Sequence, residues 1–375
     1  MLALAGGAAG VLLALAGLRA VRGLAATALP PYADLSLDRG AIAATALLAI
    51  LTGLAFGLAP ALSVSRANVQ GTLRDEGRGT SESRRSRQLR GVLVSAQIAL
   101  CVSLLAGAGL LARSLWAMSA APLGFRPDHV LVAAVQLPPG NAYGTADARV
   151  RFMDAFEERL RALPGVVAVG TLGDIPTRVM NRNGVIVDGA PPNLGDGPAL
   201  WNTVSAGGFR ALGIPLKEGR TFGPQDHADA PPVLVVSESF ARKYWPNGSA
   251  VGKRVRMGPD PNVPPHEIVG VVGDVVNDPA ARGPEPATWS AMNQAPFNGP
   301  VFMIRTTGDP AALAGAVRRA LAEQDPRVPL HSATPMRALL AEGLAGRRLP
   351  VLLMTAFGAL ALVLSSVSGS KGDVR

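Results

Sequence analysis

The sequence of 375 residues has only one cysteine, Cys101. A single cysteine cannot form a disulfide within the chain and supplies no Cys-x-x-Cys pair for a metal or redox site. The sequence also has no Gly-x-Ser-x-Gly or His-Glu-x-x-His motif, the signatures of many hydrolases and zinc proteases. Histidines are few and scattered, without the spacing of metal ligands: His129, His227, His266 and His331. We therefore expect no catalytic, cofactor-binding or metal site, and no enzyme activity.

Two glycine-rich segments resemble nucleotide-binding loops in form only. Gly107–Ala112 lies inside an apolar stretch with no strand before it, so close helix packing by small residues explains it better. Gly248–Arg254 has three residues between its glycines, where a phosphate loop has four, and it ends in Arg rather than Ser or Thr. We expect a turn there, followed by a strand from Lys253 to Met257. The chain is therefore expected to contain no ATPase of its own.

The charge of the chain is unevenly distributed. The net charge is +9, yet residues 118–345 hold 21 Lys or Arg and 21 Asp or Glu, so this part is neutral. A domain that binds nucleic acid carries its basic excess on its own folded surface. Here the excess flanks long apolar stretches, where it sets the orientation of membrane helices. We expect no nucleic-acid partner.

Four stretches of the sequence carry no charge, and each has about the length that crosses a bilayer. A helix needs roughly 20 apolar residues for this, with a range of about 17–25. Three stretches are clustered and the fourth follows the long charged segment: Met1–Leu18, Ala41–Ser65, Gly91–Ala112 and Leu349–Ser370. We expect each to form a transmembrane helix. The first is at the lower limit of length, and no basic residue precedes Arg19, which argues against a signal peptide.

The distribution of arginines sets the expected orientation. Loop 66–90 has seven arginines and loop 19–40 has three, which predicts that loop 66–90 is cytoplasmic. The segment Gly77–Ser86 has the composition of a flexible linker, and the arginines around it either set topology or bind anionic lipid. The predicted divisions are 1–65 as two transmembrane helices with a short outer loop, 66–90 as a cytoplasmic basic linker, 91–117 as a helix that enters the outer domain, 118–345 as an extracytoplasmic domain, 346–370 as a transmembrane helix and 371–375 as a cytoplasmic tail.

Strands and helices are interleaved within residues 118–345, which predicts an α+β domain. Apolar runs rich in β-branched residues predict strands: Val130–Leu137, Val166–Leu172, Asn183–Asp188, Ala199–Val204, Val233–Val236, Lys253–Met257, Glu267–Val276, Val301–Thr306 and Val328–His331. Helical spacing predicts helices at Thr145–Leu163, Glu238–Trp245, Pro310–Glu323 and from Thr334 to Leu344. Ser237, Asp309 and Thr334 are the predicted N-caps of the last three helices. Phe209–Gly213 is expected to form a short helical turn and Ile214–Arg220 a turn-rich passage.

Several of these segments together resemble the MacB/FtsX-type ABC transporter permeases. The resemblance covers nearly the whole chain and is carried by six segments: Leu51–Leu62 followed by Ser65-Arg66, Leu89–Gln97, Gly107–Ser114, Phe209–Pro215 followed by Gly219-Arg220, Val236–Pro246 and Ile268–Val275. It is especially close to the duplicated permeases first noted in acidobacteria. It implies an extracytoplasmic domain of the MacB periplasmic core type, held in the bacterial inner membrane. It also implies mechanotransmission, in which an ABC-type ATPase subunit drives export or extraction of cargo outside the membrane.

The resemblance implies further partners: a second permease half or a homodimer, membrane lipid and, as an option left open, a periplasmic adaptor. Members of the family continue beyond the last apolar stretch into a cytoplasmic coupling loop and two more spans, whereas Ser365–Arg375 becomes polar. The expectation is therefore a permease subunit, or part of one, of a MacB-like ABC transporter. The alternatives are a non-transporting, membrane-anchored interaction or regulatory domain of the FtsX type, and a non-functional fragment.

Overall fold

The computed structural model describes residues 84–140, 142–179, 181–187, 196–258, 260, 262–278, 283–343, 354–355 and 358. The predicted spans at 1–18 and 41–65, the linker up to residue 83 and the tail at 371–375 lie outside these residues. Within the fourth apolar stretch, Met354, Thr355 and Gly358 are described, and all three are helical.

The chain divides into two compact units, one formed by Met1–Leu115 with Leu344–Arg375 and the other by Trp116–Gly343. The first described element is helix α1 (Arg84–Ala120). Because this helix begins at Arg84, the predicted flexible linker is wrong for its last three residues. None of the helices in the described part of the chain combines the length and the apolar character that crossing a membrane requires.

Small residues bring two helical segments of the first unit close together. A Cβ placed on Gly107 would lie 3.7 Å from the sulfur of Met354, and one on Gly358 would lie 2.9 Å from Cδ2 of Leu105. Ala108, next to Gly107, is buried. The Gly107–Ala112 segment is helical, so the prediction of close packing by small residues, rather than a nucleotide loop, is confirmed.

The second unit is an α+β domain, as predicted. Its helices are α2 (Ala146–Arg161), α3 (Gly208–Leu212), α4 (Glu238–Tyr244), a 3-10 turn (Pro310–Leu313), α5 (Ala314–Gln324) and α6 (residues 336–343). Its strands are β1 (Val130–Val135), β2 (Val166–Leu172), β3 (Arg182–Val187), β4 (Asp196–Val204), β5 (Leu216–Gly219), β6 (Val233–Ser237), β7 (Arg254–Met257), β8 (His266–Val272), β9 (Ala287–Ala291), β10 (Val301–Thr306) and β11 (Leu330–Pro335).

The strands form one sheet with two halves. The first half has the order β11-β1-β10-β2 and is antiparallel throughout. The second half has the order β4-β3-β7-β8-β6-β9, and an additional pairing of β4 with β9 closes it into a ring, with β5 paired to β8. A single residue pair, Leu172 with Val204, joins the two halves through β2 and β4.

The domain has a core on each face of the first half-sheet, because side chains alternate between the two faces along a strand. Along β1, Leu131 and Ala133 point toward α2 and α5, whereas Val130 and Val132 point to a cluster shared with α3 and the second half. A third cluster packs α4, through Phe240, against the second half. Burial on both faces explains why the predicted strands were continuous apolar runs.

Most predicted elements are confirmed, two of them with the predicted bounds: Val166–Leu172 and Val301–Thr306. The Ser237 side chain accepts a hydrogen bond from the amide of Phe240, and Asp309 accepts one from Ala311, so both are N-caps as predicted. Thr334 is not a cap, because it lies within β11 and pairs with Val132. The turn-rich passage from Ile214 contains β5, and β9 was not predicted at all.

Candidate functional site

The first and last segments of the domain lie next to each other. We call residues 121–129 the entry segment and α6 the exit helix. The Arg337 guanidinium of the exit helix donates two hydrogen bonds to the Asp128 carboxylate of the entry segment, one of them of 3.0 Å between Nη2 and Oδ2. The two residues are 209 positions apart in sequence. The Arg337 guanidinium holds the pKa of Asp128 below its usual value.

Arg305, near the end of β10, binds the backbone of the entry segment. Its guanidinium donates to three backbone carbonyls: Ala211 at 2.8 Å, Asp128 at 3.0 Å and Arg126 at 2.8 Å. The fork of donors on an arginine suits several acceptors at once. Burial, together with the nearby charge of Arg126, lowers the pKa of Arg305. Arg305 therefore joins the entry segment, α3 and β10 into one body.

His129 completes this connection at the start of β1. Its carbonyl accepts hydrogen bonds from the amide of Thr306 at 2.8 Å and from the Thr306 hydroxyl at 3.3 Å. Its ring Nδ1 lies 3.0 Å from the carbonyl oxygen of Gly308. The backbone of His129 has a φ of 56°, an uncommon value for a residue other than glycine. The hydrogen bonds on both sides hold this conformation.

The start of the entry segment contacts the second half-sheet. Gly124 has a φ of +79°, and a Cβ there would lie 1.8 Å from the carbonyl oxygen of Asp274, so only glycine fits this position. The amide of Val276 donates to the carbonyl of Leu123 at 3.0 Å, and the amide of Arg126 donates to Leu212 at 2.8 Å. The entry segment is therefore fixed to both halves of the sheet.

The exit helix is anchored by apolar burial and by one arginine. Met336 and Leu339 are buried in the cluster shared with α3. The guanidinium of Arg178, in the loop after β2, donates to the carbonyl of Leu339 at 3.1 Å and lies 3.8 Å from the Glu342 carboxylate. Entry and exit are thus both attached to the same domain, and the Asp128–Arg337 pair links them directly.

The histidines of the sequence lie on different elements of the fold. His129 lies in the entry segment, His227 in the loop before β6, His266 at the start of β8 and His331 in β11. Burial lowers the pKa of His266. The described residues contain no group of three or more side chains suited to hold a metal ion. Gly248–Arg254 forms a turn that leads into β7, as predicted.

The sequence did not identify Asp128, Arg305 and Arg337 as a group. One signal was available, because Arg305 is the only charged residue in the apolar strand β10. A charge in a strand buried on both faces requires a partner. The partners are backbone carbonyls of distant segments, and no pattern in the sequence specifies those.

When the sequence is compared with known protein families, one family model matches it. Residues 92–323 match the model of the MacB-like periplasmic core domain. No curated protein matches the chain. The chain is similar to the periplasmic region of MacB from Actinobacillus actinomycetemcomitans, with 14% identity and a TM-score of 0.39, over 58% of this chain and 93% of that one.

Two further solved structures are similar. One is the extracellular domain of the noncanonical ABC-type transporter YknZ from Gram-positive bacteria, with 14% identity and a TM-score of 0.35, over 54% of this chain and 100% of that one. The other is a domain of a putative permease protein from Porphyromonas gingivalis, with 16% identity and a TM-score of 0.38, over 56% and 92% of the two chains.

Proposed function

This chain belongs to the family of ABC transporter permeases with a MacB-like periplasmic core domain, and we propose that it couples ATP hydrolysis by a partner ATPase to movement of cargo outside the membrane. The family places the matched domain in an extracytoplasmic segment of a membrane transporter. The observation that carries the proposal is the family match over residues 92–323.

The proposed coupling is mechanical. An ATPase on the cytoplasmic side can act on an extracytoplasmic domain only through the chain segments that enter and leave it. Those segments are held together by the Asp128–Arg337 pair and fixed to the domain by Arg305. A rigid attachment at both ends transmits displacement, because packed interiors deform little. This arrangement supports mechanotransmission without a chemical step in the domain, so the chain itself is proposed to be no enzyme.

Membrane insertion is part of the proposal. The sequence predicts transmembrane helices at 1–18, 41–65, 91–117 and 346–370. Large apolar side chains on α1 are solvent-exposed in the isolated chain, among them Val92, Val102, Leu110 and Trp116 at 60–73%. Exposed apolar surface of this kind marks contact with lipid or another protein. We propose that these side chains contact lipid and the other spans of the transporter.

Reconstitution with the cognate ATPase in lipid nanodiscs tests the function. The expected results are co-purification of the two proteins and a several-fold rise in ATP hydrolysis over the ATPase alone. Arg337→Gln is expected to retain ATPase binding but lower the stimulation, because it disconnects the entry segment from the exit helix. Arg159→Gln, which removes an equally exposed ion pair with Glu323 on the helical face, is the matched control.

Binding without stimulation would favour the alternative, a membrane-anchored interaction or regulatory domain that transports nothing. A chain that binds no ABC-type ATPase would contradict the proposed function. Equal loss of stimulation in Arg337→Gln and Arg159→Gln would contradict the role given to the Asp128–Arg337 pair while leaving the function itself in place.

A further inference from the structure

A short loop lines an apolar cavity at the sheet and also contacts the exit helix. The loop comprises residues 174–179, after β2, and we call it the strap. The cavity lies between the strap and the second half-sheet, is partly open to solvent and has a volume of about 30 Å³. Its lining includes Pro176 and Val179 of the strap and, from the sheet, Leu200, Trp201 and Trp289. This volume is enough for about two water molecules. The side chains of the strap and the sheet therefore fill most of the space between them.

Two asparagine side chains bind the backbone of the strap as a neighbouring strand would: Asn202 of β4 and Asn277 of the loop after β8. The Asn277 amide accepts from the backbone N–H of Val179 at 2.9 Å and donates to its carbonyl at 2.9 Å. The Asn202 amide makes the same pair of contacts with Asp174, each at 2.9 Å. Asn202 is buried and Asn277 is half-buried, so the bonds at Val179 exchange with water more readily than those at Asp174. Four side-chain-to-backbone hydrogen bonds therefore bind the two ends of the strap, and those at Val179 are the more easily opened.

The backbone of the strap is strained where it bends. Thr177 has a φ of 72°, in the left-handed region. This region is uncommon for any residue except glycine and is a clear outlier for a β-branched one. Strain at such a position is relieved when the segment moves, so Thr177 favours release of the strap.

The next residue attaches the strap to the exit helix. The Arg178 guanidinium donates to the Leu339 carbonyl at 3.1 Å and lies 3.8 Å from the Glu342 carboxylate, on the helix that leaves the domain. A shift of this helix therefore moves Arg178, and Arg178 lies between strained Thr177 and the Asn277-bound Val179.

We propose that the strap is a conformational lever: displacement of the exit helix, carried by Arg178, releases residues 174–179 from Asn202 and Asn277 and exposes the apolar cavity beneath. The device goes beyond the proposed function, since it concerns motion within the domain and requires no ATPase. It gives the domain a closed state, in which the strap lies over the cavity and Trp289 is buried, and an open state, in which Trp289 and more of Trp201 are exposed to solvent.

Hydrogen exchange of the full-length protein in detergent tests the lever directly. The backbone amides of Val179 and Asp174 report the closed strap, because each donates to an asparagine side chain. Arg178→Met is expected to speed exchange at both amides by about threefold or more, as local opening becomes more frequent. Arg159→Met, which also breaks an exposed Arg–Glu pair, is the matched control and is expected to change neither amide.

Two more variants distinguish movement passed from the exit helix to the strap from a direct destabilisation of the strap. Arg337→Gln loosens the exit helix without touching the strap and is expected to speed exchange at Val179. Thr177→Asn lowers the strain, because asparagine tolerates the left-handed region, and is expected to slow it. The central β10 amide of Met303 must keep its protection in each variant, which excludes global unfolding.

Tryptophan fluorescence provides an independent measurement. The chain has four tryptophans, and replacing Trp116 and Trp245 by Phe leaves the two that line the cavity, Trp201 and Trp289. Acrylamide quenching of this background is expected to rise in Arg178→Met and in Arg337→Gln, and to stay unchanged in Arg159→Met. The proposal is overturned if Arg337→Gln leaves both Val179 exchange and quenching unchanged, or if Thr177→Asn speeds exchange.

Discussion

Gly170 of β2 and Gly208 of α3 lie in direct backbone contact: a Cβ placed on Gly170 would be 2.2 Å from the amide nitrogen of Gly208. The same is true from the other side, since a Cβ on Gly207 would be 2.0 Å from the carbonyl oxygen of Val169. Helix α3 crosses β2 here, next to the single Leu172–Val204 pair that joins the half-sheets. The absence of side chains at this crossing lets the two halves meet.

Gly170→Ala is therefore expected to destabilise the domain severely. The new methyl group would meet backbone atoms, which cannot move aside as a flexible side chain can, and the loss in free energy of unfolding is expected to be about 3 kcal/mol or more. Urea unfolding measures it. The control is Gly184→Ala in β3, where a Cβ would have no neighbour within 4 Å, and it is expected to be neutral. Equal stability of the two variants would show that the crossing tolerates separation.

Arg305→Met tests the attachment of the entry segment. It removes three charge-assisted hydrogen bonds and leaves the carbonyls of Ala211, Arg126 and Asp128 without this donor. We expect a loss of about 2–3 kcal/mol in the free energy of unfolding. Arg305→Lys should recover only part of it, because one ammonium group cannot reach all three acceptors. Thermal unfolding measures both variants.

The control for Arg305 is Arg318→Met, at an exposed position on α5. Its effect is expected to stay within about 0.5 kcal/mol. If Arg305→Met is as mild as this control, the three carbonyl bonds do not stabilise the entry segment. Full recovery in Arg305→Lys would likewise contradict the need for a forked donor.

Glu157 gives the domain a pH dependence. This buried carboxylate on α2 accepts a hydrogen bond from the Thr171 hydroxyl at 2.6 Å and one from Arg161. Burial nevertheless raises the pKa of Glu157 above its usual 4.5, with the hydroxyls of Ser205 and Thr171 and the charge of Arg161 opposing the shift. The folded state thus binds a proton more tightly than the unfolded state. Its contribution to stability is present below the unfolded pKa and is lost as pH rises through the folded pKa.

Glu157→Gln removes this titration while keeping the shape of the side chain. The melting temperature of the variant relative to the native protein is therefore expected to rise as pH increases from about 4 upward, and to level off above the folded pKa. The neighbouring Glu158→Gln, on the exposed side of α2, is expected to show no such trend. A difference between native protein and Glu157→Gln that is constant with pH would mean that burial does not perturb this carboxyl.

Local sequence patterns predicted two kinds of element: those stabilised by contacts between residues close in sequence, and strands that are buried on both faces. The apolar runs of β2 and β10 are buried on both faces, so their bounds followed from composition. Ser237 caps α4 through a hydrogen bond within its own turn. The strands that were missed have different origins. β5, with sequence Leu-Lys-Glu-Gly, is exposed and has no apolar pattern, and it exists because it pairs with β8.

β9 was missed for a related reason. Its sequence, Ala-Thr-Trp-Ser-Ala, is short and has little β-branched character, but pairing with β4 on one side and β6 on the other buries it fully. Thr334 was misassigned because a threonine before an apolar run fits an N-cap equally well, and only the pairing with Val132 makes it part of a strand. Both outcomes depend on partners far away in the chain.

The sequence by itself determined the α+β character of the domain, its main strands and helices, and the neutrality of residues 118–345, because periodicity, capping and charge are properties of contiguous residues. The tertiary structure decided how the halves of the sheet meet at Gly170 and Gly208, and that Asp128 and Arg337 join the entry and the exit of the chain. The physical reason is distance along the chain: these contacts join residues between 38 and 209 positions apart, and only the packed fold brings them together.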